Sequence, residues 1–185
     1  MRDEVSSQLK RSSETISNID PDQILAAANL CVDSIRNGGQ IIFMGNGGSS
    51  ADAQHIAAEL SGRYLMERPA LPSICLSNIA PVTAIGNDYS YDIVFKRQIE
   101  ANCRKGDVVV GLSTSGNSKN VVLAMEAAKE RGAKLLTFTG EGGKMRGMAD
   151  VAVTIPSKET PRIQEGYLCA CHIMCYLIEQ ILYGQ

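Results

Sequence analysis

His55 and His172 are the only histidines in this chain. Each lies among residues suited to proton transfer or metal chemistry on a small ligand. Glu59 follows His55 by four positions on a segment patterned as a helix, directly after the glycine-rich turn Gly45-Asn46-Gly47-Gly48-Ser49-Ser50. Residues i and i+4 share a helix face, so an imidazole and a carboxylate can converge there on one metal ion or one substrate. Histidine titrates near neutral pH and is a common proton shuttle. Pattern alone favours plainer readings: Glu59 as a solvated residue or the i+4 partner of Arg63, and His172 as a core histidine in an apolar helix.

A second polar loop, Ser113-Thr114-Ser115-Gly116-Asn117-Ser118, follows the strongest strand pattern and precedes a helix beginning near Lys119. Its hydroxyls, free backbone amides and helix dipole suit a phosphate group. The glycines of the first loop let backbone N–H groups approach a ligand closely. That loop lacks the lysine of the nucleotide-binding P-loop, and its spacing is not the dinucleotide fingerprint. Tight strand-to-helix connection with ordinary capping is the alternative for both loops. In a parallel α/β sheet, ligands collect beyond the carboxyl ends of the strands, where both loops are expected.

The elements that must hold these loops alternate. Short apolar runs at 40–44, 73–76, 107–112, 134–138 and 151–155 predict five strands, with helical segments at about 48–61, 80–102 in broken pieces, and 118–131. Continuous apolar runs of this kind mark a parallel sheet covered on both faces. Two helices, 5–18 and 22–36, precede the first strand, the second with Asp20 as N-cap and Pro21 at the first helical position. Thr160-Pro161 repeats the device and opens a helix over 161–183. Its apolar positions wrap widely enough to imply packing against other subunits. The 185 residues predict one domain, a helical segment 1–36 and an α/β core 37–185, burying roughly 70% of the unfolded surface.

Composition narrows the function classes. A net charge of −2 and 21% charged residues argue against electrostatic nucleic-acid binding. The N-terminus lacks the apolar run of a signal peptide, and no segment reaches the roughly 20 apolar residues of a membrane span. A cytoplasmic protein is expected. Cys31, Cys75 and Cys103 are isolated, while Cys169, Cys171 and Cys175 cluster around His172. Helical rotation of about 100° per residue turns Cys169 and Cys171 to nearly opposite sides, so they do not close one zinc site. Reduced thiols acting as small hydrophobes are expected.

Gly45-Asn46-Gly47-Gly48-Ser49, Ala53-Gln54-His55, Ala58-Glu59-Leu60-Ser61-Gly62-Arg63-Tyr64, Ala84-Ile85-Gly86-Asn87-Asp88, Ser113-Thr114-Ser115-Gly116-Asn117-Ser118 and Arg162-Ile163-Gln164-Glu165 closely resemble the phosphoheptose isomerases of the sugar isomerase (SIS) domain family. The resemblance covers essentially the whole chain. It implies a flavodoxin-like fold, a homotetramer, and aldose–ketose isomerisation of sedoheptulose 7-phosphate to D-glycero-D-manno-heptose 7-phosphate for lipopolysaccharide or other surface glycans. It further implies Glu59 as base and His172 as acid, and zinc on His55, Glu59, Gln164 and His172. Substrate contacts are implied at Asn46, Gly47, Gly48, Ser49, Glu59, Arg63, Asn87, Asp88, Ser113, Thr114, Ser115, Ser118 and Gln164.

Departures from the family pattern are small. Gly166-Tyr167 stands where methionine and histidine are frequent, and Ser50 where alanine is usual. Gly166 costs roughly 1 kcal/mol in a helix relative to alanine, so a bend or a close contact is expected there. Gln164 and His172 are eight residues apart, about 12 Å along a straight helix, which suggests that a neighbouring subunit supplies one of them. Two other functions compete: a non-catalytic regulator associating with a replication initiator, and an SIS isomerase for another sugar phosphate. The regulator lacks the acid–base pair present here.

Overall fold

A computed structural model describes residues 1–184. Helices α1 (Arg2–Ser17) and α2 (Pro21–Arg36) lead into β1 (Ile41–Gly45) and α3 (Gly48–Ser61). Then come β2 (Ser73–Cys75), α4 (Ile79–Asp88), a 3-10 turn at Tyr91–Ile93, α5 (Val94–Asn102), β3 (Val108–Ser113) and α6 (Lys119–Glu130). The chain closes with β4 (Lys134–Thr139), α7 (Lys144–Met148), β5 (Val151–Thr154) and α8 (Thr160–Tyr183). The five strands are parallel in the order β2-β1-β3-β4-β5, the α/β architecture expected from the sequence.

Alternation along β1 explains the two faces. Ile41 and Phe43 pack with Ala28, Ile56, Leu60, Tyr167 and Met174 of α2, α3 and α8. Ile42 and Met44 point the other way, toward Phe95, Ile99, Val121 and Met125 of α5 and α6. All residues of β1 and β3 are buried, as central parallel strands require. The edge strand β2 is short and partly exposed, which limits pairing with another chain.

Asp20 Oδ1 accepts the Asp22 N–H at 2.9 Å, with Pro21 opening α2. The second expected cap differs. Glu159, not Thr160, holds the cap position of α8, and its carboxylate pairs with Arg11 of α1 instead of capping the helix. The five-residue α7 was not expected, because one turn is too short to show a helical period.

Helix α8 is a core helix despite a composition that could suit a membrane span. By length and composition it is apolar enough to cross one. Here its apolar surface meets the core, where Tyr167, Ala170, Cys171, Met174, Cys175 and Ile178 are buried.

Of the two expectations for Gly166, a close contact is what the structure contains. The helix runs through Gly166, and a Cβ there would lie 2.6 Å from Cγ2 of Ile155. Gly166→Ala is therefore expected to destabilise by about 1–3 kcal/mol, as overpacking does, despite better helix propensity. Thermal unfolding checks this, and an unchanged midpoint would mean that Ile155 yields.

Candidate active site

Strands β1 and β3 lie side by side, but their following helices depart to opposite faces of the sheet. Ligands bind in parallel sheets at such a switch point. Both glycine- and serine-rich loops stand there. In the first, Gly47 has φ of +55°, and a Cβ on Gly48 would lie 2.3 Å from Nε2 of Gln164. The Ser49 hydroxyl is buried against the Tyr167 hydroxyl at 2.7 Å. Its backbone N–H, not its side chain, is therefore the group suited to a ligand.

Asn46 is tied across the switch point. Its Nδ2 donates to Oδ1 of Asn120 at 2.8 Å, and Nδ2 of Asn120 donates back to Oδ1 of Asn46 at 2.9 Å. Tyr91 donates to the same Asn46 oxygen at 2.9 Å. This reciprocal amide pair joins the first loop to the first turn of α6. A cleft of about 480 Å³ opens beside it, lined by Asn46, Gly47, Ser77, Asn78 and Tyr91 among others.

In the second loop, Ser113 Oγ lies 2.9 Å from Ser118 Oγ and 3.4 Å from Ser115 Oγ. Gly116 has φ of +63°, and a Cβ there would meet the Gly142 carbonyl at 2.6 Å, so glycine is required at this turn. Three hydroxyls thus gather at the N-terminus of α6, where unpaired N–H groups and the helix dipole favour an anion. Thr114 is half-buried beside them.

The titratable groups gather behind the first loop. Asp52, His55 and Glu59 share one face of α3, and α8 brings His172 across to it. His55 Nε2 lies 2.9 Å from Glu59 Oε1 and 3.4 Å from His172 Nε2. Tyr64 stacks on the His172 ring, with centroids 5.6 Å apart and planes at 12°. Burial lowers the His172 pKa below its ordinary value, the His55 charge adds to this, and Glu59 and Asp52 oppose it. This lowering favours the neutral imidazole. Burial likewise raises the Asp52 carboxyl, against the Gln164 hydrogen bond.

His55, Glu59 and His172 each offer a ligand atom, all within 4.8 Å of one another. Two imidazoles and a carboxylate are donors that zinc accepts. Gln164 gives its amide N–H to Asp52 Oδ2 at 2.9 Å. Arg63 is exposed and pairs with Glu67 at 3.6 Å. Asn87 and Asp88 are exposed at the end of α4 and bond to each other at 2.9 Å.

Sequence reasoning missed several neighbours. Asp52 was within its reach, since it lies three residues before His55 on the same helix face. The roles of Asn120, Tyr91 and Tyr64 depend on contacts between distant segments, which no local spacing signals.

This arrangement can move protons between a carboxylate and an imidazole. The family model described as SIS domain matches residues 4–140. A phosphoheptose isomerase from Pelobacter propionicus is 47% identical over all of both chains, and one from Geobacter sulfurreducens is 45% identical over 99% of this chain and all of that one. Among solved structures, phosphoheptose isomerase from Neisseria gonorrhoeae superposes with a TM-score of 0.90 at 40% identity, covering 97% of this chain and 98% of that one. The counterpart from Francisella tularensis gives 0.88 at 33% identity, covering 97% and 96%. With motifs, fold and relatives in agreement over its whole length, the chain belongs to the SIS domain family and, within it, to the phosphoheptose isomerases.

Proposed function

We propose that this aldose–ketose isomerase converts sedoheptulose 7-phosphate to D-glycero-D-manno-heptose 7-phosphate, with Glu59 as base and His172 as acid. The observation carrying the reading is the contiguity of Glu59, His55 and His172, at 2.9 and 3.4 Å. Isomerisation removes a proton from C1 of the ketose, beside the C2 carbonyl, and leaves an enediol. Returning a proton to C2 makes the aldehyde at C1. A carboxylate suits the carbon proton, and a neutral imidazole can carry a proton between the two oxygens.

The phosphate undergoes no reaction. Held by Ser113, Thr114, Ser115 and Ser118 at the α6 N-terminus, it fixes the sugar against the base. Asn46 and Gly47 line the cleft beside the first loop, and Gly48, Ser49, Arg63, Asn87, Asp88 and Gln164 complete the proposed substrate contacts. His55, Glu59 and His172 fit zinc, with Gln164 the proposed fourth ligand. When bound, zinc would polarise a sugar oxygen as a Lewis acid.

A homotetramer with sites at subunit interfaces accords with the exposed Ile173 and Tyr176 on α8. His55 and His172 meet within one chain, and Gln164 bonds Asp52 of that chain, so neither α8 side chain needs a neighbouring subunit to reach the cluster. We treat residues 1–185 as a single domain. The free cysteines accord with a reducing cytoplasm.

Incubation of purified protein with sedoheptulose 7-phosphate should yield an aldose anomeric signal in the proton spectrum. No turnover, with or without added zinc, would overturn the reading. Elemental analysis of undialysed protein tests the metal assignment, with zinc expected. Asn120→Leu should raise KM about tenfold, because Asn46 loses the partner that orients it, and a tenfold change corresponds to about 1.4 kcal/mol. An unchanged KM would separate the amide pair from substrate binding.

A further inference from the structure

Arg68 and Glu179 form an ion pair with side chains 0% and 1% exposed, Nε to Oε1 at 3.1 Å. Both are fully engaged. Glu179 Oε1 also accepts the Tyr64 N–H at 3.1 Å, and Oε2 accepts those of Leu65 and Met66, both at 3.0 Å. Arg68 donates to the carbonyls of Glu59 at 2.8 Å, Leu60 at 2.7 Å, and Gly62 and Pro69 at 3.1 Å. It thus holds the last turn of α3, the turn that carries Glu59, and the loop that follows. Glu179 holds the loop that carries Tyr64. His172 lies seven residues before Glu179 on α8, two turns away and on the same side of the helix.

A buried ion pair is weak evidence for stability, since well-packed apolar residues often serve as well or better. Here the two charges grip backbone from both sides of the acid–base cluster. We infer that Arg68 and Glu179 are positioning residues that set Glu59 of α3 against His172 of α8 and press the Tyr64 ring onto the His172 imidazole. Neither touches the reacting atoms. The link to turnover rests on the proposed assignment of Glu59 and His172.

Two readouts test the inference on the full chain. One is steady-state isomerisation of sedoheptulose 7-phosphate. The other is the nuclear magnetic resonance signal of the His172 ring, which stands out because the chain has only two histidines. Glu179→Gln is expected to lower kcat about 10²-fold, the cost of a misplacement near 1 Å, with little change in KM. The His172 resonance should shift as Tyr64 withdraws. Tyr64→Leu, which leaves the ion pair untouched, should shift the same resonance and lower kcat.

The double variant Arg68→Met/Glu179→Leu should regain thermal stability relative to either single change, yet stay slow. Wild-type kcat and an unmoved His172 signal in the double variant would reduce the pair to a structural role and overturn the inference. Should neither Glu179→Gln nor the double variant fold, Tyr64→Leu decides: an unmoved His172 signal with wild-type kcat would also overturn it. Absence of turnover by the wild type would instead remove the functional reading, leaving the resonance shifts as the measure of the positioning role.

Discussion

Glu59→Gln is expected to cut isomerisation by about 10²–10⁴-fold, the usual worth of a general base, while the protein stays folded. The amide keeps the size of the carboxylate, and its oxygen can still accept a hydrogen bond from His55, now 2.9 Å away. What it cannot do is take a proton from carbon. Solvent-exchange measurements separate this defect from a binding defect. In heavy water the wild type should place deuterium on the sugar carbon during turnover, because the enediol returns a solvent-derived proton. Glu59→Gln should lose exchange and isomerisation together. Exchange at the wild-type rate would move the base elsewhere, with Asp52, on the same face of α3, the first alternative. His172→Gln should lower turnover by a similar factor if the imidazole carries protons between the oxygens.

Much of this site could be read from the sequence because its parts are local. The His55/Glu59 face follows from helical spacing, and the two loops from glycine and serine runs between a strand and a helix. The strands at 41–45 and 108–113 were legible because fully buried parallel strands have nearly unbroken apolar runs. The sheet order was implied only by resemblance, since strand pairing joins residues far apart in the chain.

The ion pair shows the same limit more sharply. Arg68 and Glu179 are 111 positions apart, and charged residues are almost never fully buried unless paired. Each alone therefore reads as a surface charge. The Asn46–Asn120 link fails for the same reason, because either asparagine is adequately explained by the turn or helix start in which it lies. Local pattern placed the His55/Glu59 face and the two loops, the roles proposed for Glu59 and His172 were implied only by resemblance, and the contacts that orient these residues are nearly all long-range.

Removing one member of the ion pair should have the largest effect on stability. Glu179→Gln leaves Arg68 as an uncompensated buried charge, a change that typically costs about 3–5 kcal/mol. At about 2–4 °C per kcal/mol for a chain of this size, the unfolding midpoint should fall by about 6–20 °C at pH 7. The effect should depend on pH in a definite sense. Burial pushes the Glu179 carboxyl up, but the N–H groups of Leu65, Met66 and Tyr64, with Arg68 beside them, hold it below its ordinary value of 4.5. A group lowered on folding contributes its full stabilisation above the unfolded value and loses it as pH falls through the folded one. Wild type and Glu179→Gln should therefore differ most at neutral pH, and their midpoints should converge progressively below pH 4.5. Melting curves across that range give the test. A gap that stays constant into acid would mean that the negative charge of Glu179 contributes nothing, leaving shape alone to account for its place in the fold.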